Sequence, residues 1–484
     1  MTSLKQKALH GLSWSFIDNI LSSGITFIVG IILARLLGPE EFGIIGYVTI
    51  FISISASIVN SGLSNALIRK TNATDKDYNT VFFSNLLLAA LLYFILYLSS
   101  TIISGFFREP MLEPVLKIIG ITLIINAFSI VQSAILVKRI DFKTQTKASV
   151  ISSTTSGIVG IGMAFWGYGV WSLVGQQFSR QLLHSIFLWI FNYWRPKLQF
   201  SFSSFKELFG FGYKLLVSGL IDTVYREVYS MIIGKVYSTE QLGQYTRANQ
   251  FKTMFSSNLT SIIQRVSYPT LCEIQNDPAL LLSSYRRLIK TTMLITFACM
   301  IGLAAVAKSL LLVLIGDEWM PAVEYLQIVC FAGMLYPLHA INLNMLQVKG
   351  RSDLFLKLEI IKKCIAVIPI LLGVFLGIKI MLLGSVFNSF IAYFLNSNYS
   401  GKLINYSTKE QIKDILPSFI VSLFVAGIMW SISFLDISAF LMLPLQILMG
   451  ITSAILIYNS LQLNEYLEIK SMALYYIKRR NDEK

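Results

Sequence analysis

The sequence predicts an all-α polytopic membrane protein, and three observations support that fold class. Hydrophobic residues make up 55% of the chain and charged residues only 14%, with a mean hydropathy of +0.65, whereas about a quarter of a soluble chain is charged. The apolar residues fall in runs of about 20 or more, the length of one helical bilayer crossing. The alternating segments of about ten residues that characterise membrane β-barrels are not found in the sequence.

We predict about fourteen membrane-spanning helices, arranged as two six-helix lobes and a C-terminal helix pair. The spans begin near Leu12, Gly43, Thr80, Pro114, Ala148, Gly169, Leu208, Gln241, Leu288, Pro321, Lys357, Ile380, Asp414 and Ser438. We assign residues 1–194 to the N-lobe, 195–207 to a cytoplasmic linker, 208–405 to the C-lobe, and 406–484 to the last two helices with a basic cytoplasmic tail. The least secure divisions are the turns Gly167–Gly169 and Leu376–Lys379.

The basic residues predict which side of the membrane each turn faces. Most of the 40 lysines and arginines fall in every second connecting segment, whereas the other turns hold only Arg35, Arg108, Lys235 and Lys379. The positive-inside rule therefore predicts that both termini are cytoplasmic. The formal net charge of +14 then reflects loops that anchor beside anionic lipid head groups, and a nucleic-acid partner is excluded.

An internal repeat relates the two predicted lobes. ARLLGPEEFGIIGYVTIF, from Ala34, aligns without gaps on GKVYSTEQLGQYTRANQF, from Gly234, about 200 residues later. Gly43 matches Gly243, and Phe51 matches Phe251. An even number of spans separates the copies, so the lobes would share one orientation as a parallel repeat, the arrangement of alternating-access transporters with a site between the repeats.

Enzymatic signatures are missing, and we predict that the protein is not an enzyme. The sequence has no G-x-x-x-x-G-K-[ST], G-x-S-x-G or H-E-x-x-H motif. Its three histidines lack metal-ligand spacing, so no metal and no cofactor is expected. The four scattered cysteines predict free thiols in a reducing environment.

Charged residues within the apolar spans mark the candidate substrate site. On the seventh span six side chains fall within an arc of about 120°: Lys214, Ser218, Asp222, Tyr225, Arg226 and Tyr229. The sixth span places Arg180 and His184 on one face, one turn apart. Asp18 of the first span and Arg247 and Lys252 of the eighth complete the candidate set. Glu227 lies outside the seventh-span stripe.

Two interpretations of these charges remain open. Internal ion pairs, such as Asp222 with Lys252, would hold helices together. With Glu227 counted, however, basic groups outnumber acidic ones, and a cationic cavity favours an anion, whose phosphate oxygens suit arginine forks. The tyrosines could stack on sugar rings or donate hydrogen bonds. Elsewhere, Glu359 is expected to pair with Lys363 at i,i+4.

Several motifs resemble one family of transporters along almost the whole chain. The opening KQKALHGLSWSFIDNILSSGITFIVGIILARLLGPEEFGIIGYVTIF and the later IIGKVYSTEQLGQYTRANQF, from Ile232, are similar to the bacterial Wzx-type polysaccharide, O-antigen and colanic-acid flippases of the MOP superfamily. Supporting matches follow in family order: GLSNALIRK from Gly62, KRIDFKTQTKASV from Lys138, GYGVWSLVGQQ from Gly167, GDEWMPAVEYLQI from Gly316 and VKGRSDLFLK from Val348.

The resemblance implies a cationic cavity and the flipping of an undecaprenyl-diphosphate-linked oligosaccharide to the outer leaflet, in a protein expected to be a monomer with a glycan polymerase as a further partner. One departure concerns ion coupling by H⁺ or Na⁺. Many relatives carry an acidic residue where this chain has Tyr229, so an acidic coupling role does not transfer directly to Asp222. The alternatives are a cation-coupled multidrug exporter, which would need an acidic cavity, and a glycan polymerase, which would need longer outer loops.

Overall fold

The computed structural model describes residues 2–60, 62–463 and 465–471, and the regular secondary structure in these ranges is entirely helical, which confirms the all-α prediction. The α-helices are α1 (Thr2–Leu36), α2 (Pro39–Val59), α3 (Leu63–Arg69), α4 (Asp75–Phe107), α5 (Leu112–Lys138), α6 (Phe142–Phe165), α7 (Val170–Phe191), α8 (Phe202–Val236), α9 (Thr239–Glu273), α10 (Pro278–Leu314), α11 (Met320–Gly333), α12 (Tyr336–Val348), α13 (Ser352–Ile365), α14 (Val367–Leu376), α15 (Ile378–Ile404), α16 (Thr408–Ser431) and α17 (Ala439–Leu461).

Nine helical stretches in these ranges are long and apolar enough to cross a membrane, so the chain is a multi-pass membrane protein. They contain α2–α3, α4, α5, α6, α10, α11–α12, α15, α16 and α17. The five other predicted spans correspond to α1, α7, α8, α9 and α13–α14. Polar residues lower the hydropathy of α7, α8 and α9, α13 and α14 are shorter than 18 residues, and α1 contributes the shorter apolar stretch Ile20–Leu36. The candidate site residues lie on four of these five spans. The count of fourteen remains a prediction.

The chain divides into two compact units, Met1–Thr246 and Arg247–Lys484, with the boundary inside α9. In the first unit α2 is central, because it packs against α4, α5, α7 and α8. A core of α3, α4, α5 and α8 residues lies beside it, including Leu67, Phe82 and Leu208. The predicted lobe boundaries at 194 and 208 stay a prediction.

The two repeated hairpins turn at equivalent positions. α1 ends at Leu36 and α2 begins at Pro39, whereas α8 ends at Val236 and α9 begins at Thr239, again about 200 residues later. The hairpins also touch reciprocally. A Cβ on Gly43 would lie 1.9 Å from the Thr239 carbonyl oxygen, and one on Gly243 would lie 1.8 Å from the Pro39 carbonyl oxygen. Only glycine allows backbones to approach this closely.

α8 runs antiparallel to α2 along a series of contacts. The first is between Gly212 and Gly62, where a Cβ on Gly62 would lie 2.3 Å from the Gly212 carbonyl oxygen. At the other end the Tyr47 hydroxyl donates a hydrogen bond of 2.8 Å to the Gly234 carbonyl oxygen. Beyond it, Lys235 Nζ donates to the Phe106 carbonyl oxygen at 2.6 Å. α8 is therefore fixed to the first unit at both of its ends.

An ion-pair cluster reinforces the first turns of α8. Lys70, which follows α3, lies 3.1 Å from Asp77 of α4 and 2.9 Å from Glu207 of α8. The hydrogen bond to Glu207 raises the pKa of Lys70, although burial opposes it, so the ammonium is charged at neutral pH. Next to it the Arg69 guanidinium lies 4.3 Å from the centroid of the Phe211 ring.

Neutralising Lys70 is expected to destabilise the protein more than neutralising Glu207. The Asp77 side chain is 2% exposed, so Lys70→Met leaves a buried carboxylate without its cation and costs about 1–3 kcal/mol. The Glu207 side chain is 62% exposed, so Glu207→Gln should cost less than about 1 kcal/mol. Thermal unfolding of the two purified variants measures the difference, and equal midpoints would contradict it.

The second unit is organised around α10, which packs against α11, α12, α16 and α17. Its first turns are tied by ions: Arg286 Nη2 donates to Asp414 at 2.8 Å, Arg287 Nε lies 2.7 Å from Glu468, and Lys290 pairs with Glu465. The first described part of the tail, 465–471, is thus helical and bound to α10. The rest of that tail, 472–484, lies outside the described residues.

Candidate functional site

The seventh-span stripe lies on α8, away from the face that packs on α2. The α2 contacts at Gly212 and Gly234 mark one direction of the helix. At 100° per residue, the stripe from Lys214 to Tyr229 is centred about 130° around the helix from that direction. Lys214, Asp222 and Arg226 are exposed, and Tyr225 and Tyr229 are half-buried. Ser218, the sixth residue of the stripe, is also exposed, so the stripe is accessible.

The ions of α1 and α7 lie close together. Arg180 of α7 interacts electrostatically with Asp18 of α1, and His184 interacts with Arg180 one turn earlier. The Ser22 hydroxyl donates a hydrogen bond of 2.9 Å to Asp18. Asp18 thus offsets the charge of Arg180, and this group carries little net charge.

The α9 residues Arg247 and Lys252 belong to the second unit. Arg247 is only 3% exposed; its Nη1 donates to Gln250 Oε1 at 2.6 Å, and its guanidinium lies 5.6 Å from the Phe251 ring centroid. Lys252 packs its stem on α11, because a Cβ on Gly333 would lie 2.8 Å from Lys252 Cδ. Among the residues the structure describes, no carboxylate forms an ion pair with Lys252.

Within the first unit the acidic and basic residues of the candidate set, with Glu227 counted, are equal in number. Asp18 offsets Arg180, and on α8 the two cations Lys214 and Arg226 accompany Asp222 and Glu227. The sequence placed Glu227 outside the stripe, and the structure places it on the α2 side, where it interacts with Ser53. The excess of positive charge in the candidate set therefore comes from α9.

Glu359 forms an ion pair with Lys362 at i,i+3, and its predicted pairing with Lys363 at i,i+4 stays a prediction. Both spacings bring side chains together on a helix, so the sequence alone does not decide between them. The thiol prediction, by contrast, is confirmed, because Cys272, Cys299, Cys330 and Cys364 are all free.

Two groups of buried or half-buried polar residues were missed by the sequence analysis. In the second unit His339 Nε2 lies 3.0 Å from Ser389 Oγ, and Asn342 accepts hydrogen bonds from Tyr285 at 3.1 Å and from Ser400 at 2.5 Å. In the first unit Gln181 of α7 donates to Asn126 of α5 at 3.3 Å. The signal for the latter was present: Gln177, Arg180, Gln181 and His184 follow the i, i+3, i+4, i+7 spacing of one helix face.

The helices define a multi-pass α-helical membrane protein that carries charged side chains on several of its membrane helices. It matches the family described as "Polysaccharide biosynthesis protein" over residues 32–324, which is more than half of the 484 residues. The chain belongs to this family, as the sequence motifs predicted.

Curated relatives extend the match over most of the chain. The teichuronic acid biosynthesis protein TuaB of Bacillus subtilis is 25% identical over 73% of this chain and 74% of its own length. The lipopolysaccharide biosynthesis protein WzxC of Escherichia coli is 22% identical over 81% of each chain. The succinoglycan biosynthesis transport protein ExoT of Rhizobium meliloti is 25% identical over 68% of this chain and 67% of its own length.

Solved structures establish the fold. The lipid II flippase MurJ in its inward closed conformation superposes with a TM-score of 0.74 at 15% identity, covering 94% of this chain and 100% of that one. A multidrug resistance MATE transporter of the MOP superfamily, in an inward-facing conformation, gives a TM-score of 0.64 at 16% identity over 81% of this chain and 98% of that one. The chain therefore shares its fold with these two proteins.

Proposed function

We propose that this protein flips a polyprenyl-diphosphate-linked oligosaccharide across the bacterial cytoplasmic membrane by alternating access. Family membership carries the proposal, because the relatives' names join polysaccharide biosynthesis to transport and the fold is shared with a lipid II flippase. A transporter, rather than an enzyme, fits a chain whose polar groups are distributed along membrane helices. The oligosaccharide would be a repeat unit of O-antigen, capsule or exopolysaccharide.

The proposal includes a finer topology than the helix bounds alone. Fourteen spans, with two six-helix lobes in parallel repeat, a terminal pair and cytoplasmic termini, would satisfy the positive-inside rule. The equivalent turns of α1–α2 and α8–α9 support the repeat. A monomer is expected to suffice, and a coupling ion, H⁺ or Na⁺, would supply the driving force. A glycan polymerase would use the flipped product.

The substrate would be held mainly through its charged head. Arg247 and Lys252 of α9 would attract the diphosphate, since arginine and lysine are the usual phosphate ligands. Lys214 and Arg226, with Asp222, Tyr225 and Tyr229 on the same accessible face, would line the path of the head group. Asp18, Arg180 and His184 would meet a less charged part of the substrate. The polyprenyl chain would remain in lipid.

Reversing two of these charges tests the proposal. Arg226→Glu together with Arg247→Glu, expressed in cells that lack the chromosomal copy, is expected to reduce surface glycan to background while lipid-linked oligosaccharide accumulates. The reason is that two cations facing the substrate would become anions. Glycan blots measure export, and immunoblots of membranes measure the amount of protein.

Two comparisons separate loss of binding from loss of folding. Arg226→Glu alone changes an exposed residue and should lower export without lowering protein amount. Arg226→Lys with Arg247→Lys retains both charges and should keep most of the export, apart from what the lost arginine forks supplied. Normal surface glycan in the charge-reversed double variant would contradict the assignment of the site.

A further inference from the structure

The inner face of α7 carries polar side chains whose chemistry differs from that of the cationic α9. Gln177, Arg180, Gln181 and His184 share one face of the helix. The exposed apolar residues of α7, Leu182, Ile186 and Ile190, are 37%, 41% and 59% exposed, and they lie about 180° around the helix from the polar face. Polar side chains at membrane depth face protein or water rather than lipid, so the α7 stripe faces the interior of the first unit.

This polar face carries almost no net charge. Asp18 offsets Arg180 electrostatically, and the other groups on the face are the carboxamides of Gln177 and Gln181 and the imidazole of His184. A diphosphate requires uncompensated cations, and this face does not offer them. The ligand that it suits is therefore neutral and polar.

The carboxamides are available to a ligand. Gln181 Nε2 donates a hydrogen bond of 3.3 Å to Asn126 Oδ1, which fixes both amides. The Gln181 oxygen and the Asn126 amino group take no part in this bond and can contact a ligand. Within the part of the chain that the structure describes, the Gln177 side chain forms no hydrogen bond. All three residues are half-buried rather than sealed. A carboxamide both donates and accepts hydrogen bonds, as a sugar hydroxyl does.

We infer that Gln177, Gln181 and Asn126 form a subsite for the hydroxyl-rich glycan of the substrate, separate from the cations proposed for its diphosphate. Arg180 and His184 border the subsite and add donors to it. This inference rests on the proposed function, and it assigns the neutral sugars to the α5–α7 amides. Selectivity for a particular glycan would then come from the first unit.

Binding to two lipids that differ only by the glycan tests the subsite. The full chain, purified in detergent, is titrated with undecaprenyl diphosphate and with the lipid-linked oligosaccharide fraction extracted from the host cells, and native mass spectrometry measures both affinities. The unmodified chain should prefer the glycan-bearing lipid by about tenfold, the equivalent of two ordinary hydrogen bonds. Gln177→Leu with Gln181→Leu should abolish this preference while its affinity for undecaprenyl diphosphate is unchanged.

Single variants and a control complete the experiment. Gln177→Leu, which breaks no described hydrogen bond, should lose about threefold of the preference, one hydrogen bond's worth. Leu182→Ala on the apolar face should retain the full preference. If the double amide variant keeps the preference, the subsite is overturned and the flippase proposal stands. If the unmodified chain binds neither lipid, the flippase proposal itself fails.

Discussion

Gly43→Ala and Gly243→Ala are each expected to destabilise the protein strongly, in spite of adding only one methyl group. The added carbon would lie 1.9 Å or 1.8 Å from a backbone carbonyl oxygen of the opposite hairpin, closer than any van der Waals contact allows. A backbone oxygen cannot rotate away as a side chain can, so α2 and α9 must separate. Overpacking of this kind costs about 1–3 kcal/mol or more. Thermal unfolding followed by size-exclusion chromatography measures the effect.

The chain provides matched controls for this pair. A Cβ on Gly24 of α1 or on Gly105 of α4 would meet no atom within 4 Å, and alanine in a helix is favoured over glycine by about 0.5–1 kcal/mol. Gly24→Ala and Gly105→Ala should therefore be neutral or stabilising. The double variant Gly43→Ala/Gly243→Ala should cost less than the two single costs together, because the helices separate only once. A midpoint for Gly43→Ala equal to that of Gly105→Ala would contradict the close contact.

The sequence predicted the hairpins well because their signals are local. Gly38 is the N-cap of α2 and Pro39 is its first helical residue. Proline is favoured at the first helical position because the N–H that it lacks would have no helical partner there. The gapless repeat predicts a second turn at the equivalent position, and Tyr237 and Ser238 join α8 to α9 there. Apolar run length likewise predicted long helices, although the prediction did not anticipate the breaks between α11 and α12 or between α13 and α14.

Side-chain partners were less predictable because several acceptable partners lie within reach on a helix. Glu359 has lysines at both i+3 and i+4, and the sequence alone did not predict the pairing with Lys362 that the structure shows. Glu227 was set aside by its angle on α8, yet its partner Ser53 depends on how α2 packs against α8, which the sequence does not state. Similarly, the charge count gave an excess of cations, but only packing showed that Asp18 offsets Arg180.

Lys252→Met is expected to abolish glycan export while leaving the protein equally or more stable. Among the described residues Lys252 has no carboxylate in an ion pair, and its stem lies against Gly333 and its charge near Cys330. Keeping a half-buried cation without a carboxylate partner costs folding free energy, which an apolar side chain of similar length avoids. If the cation is retained to attract a diphosphate, its removal should lower glycan export without lowering stability. Such a trade-off between activity and stability is common at functional sites.

The paired measurement is export by glycan blot and stability by thermal unfolding, with Lys308→Met as the control. Lys308 is an exposed residue of α10, so its loss should change neither quantity. Lys252→Arg is informative as well, because its larger guanidinium must fit beside Gly333. The lysine stem passes so close to this glycine that a Cβ added there would lie 2.8 Å from Lys252 Cδ. A structural role for Lys252 would instead lower stability and export in proportion in Lys252→Met. Opposite changes in the two quantities would mark Lys252 as a residue kept for the substrate, since packing alone would favour methionine.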